Sequence, residues 1–140
     1  MGTAQADRIW RSFSRIETTP EDLAEQYVAR LIEFGLDDRA GGLDLGGKHR
    51  SIAAALSLVA HNADMLDSIR GVLTKSRVPV IGNLPDRASM RRARDLMLET
   101  IEDASPEAFD ERLTDDWRQV VDVVAWAMFG TEPEAARLVA

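Results

Sequence analysis

The stretch FDERLTDDWRQVVDVVAWAMFG, from Phe109 to Gly130, constrains the fold more than any other part of this chain. Leu113, Trp117, Val120, Val124 and Ala127 recur at steps of three and four, while Asp115, Asp116, Arg118 and Asp122 fall between them. Such steps return a side chain to one face of an α-helix, so the pattern predicts a long helix with an apolar stripe and a wet side. A stripe of this length must be covered, and the other segments have to supply the cover.

Upstream, Asp7 is expected to cap a first helix with Ile9, Phe13 and Ile16 on one face and Arg8, Arg11 and Arg15 on the other. The clearest start follows at Thr19-Pro20-Glu21-Asp22. Threonine caps, proline fits the first helical position, and the two acids complement the positive end of the helix dipole. This second helix is expected to turn Leu23, Tyr27, Leu31 and Phe34 inward and to stop at Gly35. Gly41, Gly42, Gly46 and Gly47, with Leu36, Leu43 and Leu45 between them, predict a glycine-rich connector. It carries neither the dinucleotide fingerprint nor the Gly-Lys-Ser/Thr ending of a phosphate-binding loop.

A third helix is expected from about Lys48 to Asn62, with Ile52, Leu56, Val59 and Ala63 inward. A fourth carries Leu66, Ile69, Val72 and Leu73 and fades at Lys75. Pro79 and Gly82-Asn83 make the next segment an extended connector, because a lone strand has no partner for its ladder. The fifth helix begins at Pro85-Asp86, with Met90, Ala93, Met97 and Ile101 inward and Arg87, Arg91 and Arg94 along another face. Ala104-Ser105-Pro106 ends it. About six helices in one core, and no strand, define an all-α class. Residues 1–140 read as a single domain with a core over about 7–130 and a short tail at 131–140.

Composition narrows the function. Seventeen basic and twenty-four acidic residues leave a net charge of −7, unsuited to general binding of a phosphate backbone, so nucleic acid is not an expected partner. With no cysteine there is no disulfide, thiolate metal site or cysteine nucleophile. No apolar run reaches membrane-spanning length and MGTAQADRIW lacks the order of a signal peptide, so the expected compartment is the cytoplasm with no membrane partner.

Four motifs together resemble the globin family, in particular the single-domain bacterial globins and the globin part of flavohaemoglobins. They are Ser12-Phe13 in the first helix, QYVARLIE with Tyr27 in the second, SIAAALSLVAHNADMLDSIRGVL, and LTDDWRQVVDVVAWAMF with Trp117 and Met128 in register. The resemblance spans roughly Ile9 to Gly130 and implies a globin-like fold, with the glycine-rich loop in place of the short helices after the second helix. It also implies a pocket lined by Tyr27, Leu43, Lys48, Ile52 and Arg77. Tyr27 stands where bacterial globins place a tyrosine over the bound gas, and Arg77 stands where the family has its proximal haem histidine. A neutral imidazole offers iron a lone pair, whereas guanidinium stays protonated and has none to offer.

The expectation is therefore a non-haem globin-like domain that has lost ordinary haem and O2 binding and works as a regulatory, sensory or protein-interaction module. No cofactor is expected. A second reading is a binder of a small apolar or anionic ligand in the former haem space, with Lys75, Arg77, Arg87, Arg91 and Arg94 as the anion cluster; the same stripe also reads as a solvated face balanced by Asp86, Asp95 and Glu99. A third is a haem and oxygen-binding globin with an unusual ligand, for which His49 and His61 are the leading candidates and Met65, Met90 and Met97 read as core fillers. Enzymatic chemistry is not expected, because carboxylate pairs such as Asp115-Asp116 and Asp37-Asp38 sit at helix starts or in loops. Trp10 and Trp126, each one step from an apolar stripe, are candidate anchors for a protein partner, including a second copy in a homodimer.

Overall fold

A computed structural model describes residues 2–36, 45–66, 68–69 and 87–129 of the chain, with side chains described for 2–36, 49–66, 68–69 and 88–125. The described residues are all-helical, without a strand: α1 (Thr3–Arg15), α2 (Pro20–Glu33), α3 (Leu45–His61), a 3-10 turn (Ala63–Met65), α4 (Arg87–Ala104) and α5 (Glu111–Phe129). No helix among them is long and apolar enough to cross a membrane. Most of the expected glycine-rich loop, the second half of the expected fourth helix and the tail lie outside the described residues.

α2 is held chiefly between α3 and α4, and α5 lies across α3 and α4, with α1 on its outer side. The start of α2 is as its residues dictate. Thr19 Oγ1 accepts the Asp22 N–H at 3.1 Å, satisfying one of the donors a helix start leaves open, and Pro20 occupies the first turn. Gly35, at φ 72, ends α2 in the left-handed region where a side chain would be strained. The expected inward residues Leu23, Tyr27, Leu31, Ile52, Leu56, Val59, Ala63, Ala93, Met97 and Ile101 are all buried in one cluster. On α5, Trp117, Val120 and Val124 are fully buried with them.

Four expectations are corrected. α1 starts at Thr3, not beside Asp7; the Gly2 N–H donates to Gln5 Oε1 at 3.0 Å and Gly2 O accepts from Ala6 N–H, which extends the helix by a turn. α3 starts at Leu45, so Gly46 and Gly47 lie within it, because glycine weakens a helix by only about 1 kcal/mol against alanine and tertiary packing overrides that. Phe34 is 45% exposed: it follows the last residue of α2, where the backbone leaves the helical path and its side chain leaves the core face. Asp116, expected on the wet side of α5, is buried. The buried arc of α5 takes in Val121, Val123 and Ala125 as well as the expected stripe. At about 100° per residue, Asp116 lies inside that arc, between Val120 and Val123.

Candidate functional site

Two regions compete for a role: the heart of the molecule around Tyr27, and the seam between α1 and α5. In the heart, Tyr27 and Ile52 are fully buried beside Leu31, Leu56, Met97 and Ile101. The Tyr27 hydroxyl donates to the Ala93 carbonyl of α4 at 2.8 Å, so its single proton is committed to the protein itself. At the rim, Arg30 of α2 reaches α4 twice, donating to Thr100 Oγ1 at 3.1 Å and to Asp103 Oδ2 at 2.6 Å. Thr100, also buried, donates its own proton to the Leu96 carbonyl. Each described polar side chain named here thus ends on a partner.

The candidate haem donors are dispersed. His61 is exposed on the far side of α3, where its Nδ1 lies 2.6 Å from the Ser57 carbonyl and its ring sits against Trp10 and Phe13, with centroids 4.7 and 5.6 Å away. Met65, read as a core filler, is instead 53% exposed just beyond α3, in the 3-10 turn, while Met97 is buried and Met90 partly so. His49 is half-buried and lies about two turns before Leu56, on the inward side of α3. It is the one candidate histidine on that side among the described residues. Leu43, Lys75 and Arg77 lie outside the described residues, as do the side chains of Lys48, Arg87 and Trp126.

The arginine stripe of α4 is divided by its partners. Arg94 faces Asp122 of α5 at 3.5 Å and lies 4.0 Å from Asp95, whereas Arg91 is exposed along a groove it shares with Phe34. Arg92, which the periodicity did not single out, stacks its guanidinium 4.3 Å from the Phe34 ring centroid. Cation–π attraction and the cover it gives explain how an aromatic ring stands at the surface there.

The seam between α1 and α5 holds what sequence reading missed. Arg8, expected on the wet face, donates to both oxygens of buried Asp116, Nε to Oδ2 at 2.7 Å and Nη2 to Oδ1 at 3.4 Å. That hydrogen bond raises the Arg8 guanidinium above its ordinary range; burial opposes the rise, and the charges of Asp116 and Asp110 add to it. One turn on, Trp117 Nε1 donates to buried Ser12 Oγ at 3.0 Å, and Trp117 is flanked by Phe13 and, in a near-parallel stack, by Phe109. Ser12-Phe13 and Trp117, noted for their resemblance, therefore meet in space. Beside them a cavity of about 210 Å³ opens between α1 and the residues leading into α5.

The one available signal for this seam was a charged residue inside an apolar arc: Asp116 lies among the positions of Leu113, Val120 and Val123. Among the described residues no group of three or more His, Asp or Glu is placed to hold a metal ion. A scan against protein-family models, a search of curated proteins and a search of solved structures each found no match.

Proposed function

We propose that this chain is a globin-like domain that works without ordinary haem chemistry, as a regulatory, sensory or protein-interaction module of the cytoplasm. The observation that carries this reading is Tyr27. At the position that resembles the gas-facing tyrosine of bacterial globins, its hydroxyl is spent on the Ala93 carbonyl and the ring is enclosed by protein. A tyrosine that stabilises a bound gas needs a free proton aimed at it; here the acceptor is backbone. The expected proximal position holds Arg77, which offers iron no lone pair. These residues do not fit haem held in the ordinary globin manner, and no step of the proposal runs through it.

A partner surface is supported by the apolar side chains left outside. Trp10 is 47% exposed on α1, beside the His61 ring, and Leu58 and Met65 are exposed on α3 and on the 3-10 turn that packs against α1. Aromatic and methionine side chains are enriched in protein–protein interfaces relative to the rest of a surface. A second copy of the chain is the simplest such partner. The full chain purified from haem-replete cells should leave gel filtration without a Soret band, and a band that co-migrates with it would sink the non-haem reading. Sedimentation at high concentration tests the homodimer separately, since a monomer throughout excludes self-association.

A further inference from the structure

We infer that the seam cavity between α1 and the α4–α5 connection is a binding site for a small monocarboxylate. Arg8, Arg11, Ser12 and Arg15 fall at steps of three, one and three along α1, within one arc of the helix, and all four line the cavity. Two of the arginines are already paired. Arg8 holds Asp116 at the inner end, and Arg15 holds Glu107 at 2.6 Å at the outer end. Arg11, between them, is exposed and has no hydrogen bond or ion pair among the described residues.

Ser12 supplies the second, independent observation. Ser12 is buried, at 8% exposure, and its hydroxyl accepts from Trp117 Nε1, which leaves the hydroxyl proton to be placed. Ser14, Thr100 and Thr114 each donate theirs to the carbonyl four residues back. Ser12 makes no such bond, and among the described residues its proton has no acceptor. A buried hydroxyl that keeps an unspent donor on a cavity wall, one residue from an unpaired guanidinium, is arranged for an acceptor that arrives from outside.

Charge and size specify the class. On the cavity wall Arg15 is matched by Glu107 and Arg8 by Asp116, which leaves the Arg11 guanidinium as the one cation there without a paired carboxylate among the described residues. Asp116 stands behind Arg8 and outside the wall. Asp110 has one oxygen engaged, accepting the Leu113 N–H at 2.7 Å at the start of α5. A single negative charge matches that one guanidinium, where a phosphate dianion exceeds it and meets the carboxylate of Asp110 on the same wall. At about 210 Å³ the space is smaller than a typical drug-sized pocket of ~300–1,000 Å³, so the remainder of the ligand is short, lying against Leu113. The carboxylate takes bonds from Arg11 and from Ser12 Oγ, both directed donors to an anion. This site is distinct from the former haem space and stands whether or not the non-haem reading holds.

The test follows the Trp117 indole N–H resonance of the full, isotope-labelled chain while benzoate is titrated, with benzylamine as the cation of similar size and inorganic phosphate as the more highly charged anion. The result expected is a saturable shift with benzoate and none with benzylamine. Arg11→Gln, at an exposed position that the fold does not depend on, should weaken benzoate binding about tenfold, the loss of one charge-assisted hydrogen bond. Ser12→Ala should weaken it about fivefold, and Arg92→Gln, stacked on Phe34 away from the seam, should leave it unchanged. The inference is overturned by no saturable shift, by equal binding of benzylamine, by phosphate binding more tightly than benzoate, or by an Arg11→Gln chain that binds as well as the parent.

Discussion

The heart of the molecule and the α1–α5 seam are built from similar materials and finished differently. Around Tyr27 the polar side chains close on the protein itself: hydroxyl to Ala93, Arg30 to Thr100 and Asp103, Thr100 to Leu96. Along the seam the ion pair of Arg8 with Asp116 is equally closed, yet the turn above it keeps a hydroxyl proton and a guanidinium unspent beside a cavity. Burying a polar group costs free energy unless it is bonded, so a saturated region reads as structure and an unsaturated one as a place prepared for something else. Among the described residues, the region that resembles a ligand site in the sequence is thus the one whose polar side chains are spent on the protein; the side chains of Leu43, Lys48 and Arg77 lie outside that description.

Five variants bear on this contrast. The largest effect is expected from Trp117→Ala, which removes a fully buried ring from the packing of α5 against α1 and should cost about 3–5 kcal/mol in denaturant unfolding. If it costs no more than a surface change, the seam does not anchor α1. Next comes the ion pair. Asp116→Ala should destabilise clearly, but less than Trp117→Ala, because Arg8 is 32% exposed and can turn to water once its partner is gone. The double change Arg8→Met with Asp116→Leu should recover most of that loss, since apolar replacement of a buried pair is often neutral. A double variant as unstable as Asp116→Ala alone would show that the pair has a further role. Tyr27→Phe removes the buried hydrogen bond to the Ala93 carbonyl and should cost about 1 kcal/mol; a chain unchanged or stabilised would mean that the hydroxyl is not spent on Ala93. The smallest effect is expected at Phe34→Ala, within about 0.5 kcal/mol of the parent, as for a surface side chain.

Much of the framework is visible in the residues themselves. Thr19, Pro20 and the two acids after them fix the start of α2, and the three-four spacing on α3 and α4 places Ile52, Leu56, Met97 and Ile101 in the core. Those features are local, and local sequence carries them. The pairing of Arg8 with Asp116 and of Ser12 with Trp117 joins residues more than a hundred positions apart, so helical period alone cannot specify either. Period also reports the centre of an apolar stripe better than its width. Period therefore puts Asp116 in solvent, although it sits inside the arc bounded by Val120 and Val123. Phe34 fails differently: its spacing suits the core, but it stands one residue beyond the helix whose spacing it follows.

The contrast between a closed heart and an open seam is tested most directly by titrating haemin into the full chain while following the Soret band. A featureless rise with no break at one haem per chain is expected, and the same trace for His49→Ala. A sharp Soret band that saturates at one haem per chain would contradict a closed heart. Loss of that band in His49→Ala would then assign the iron to the inward histidine of α3.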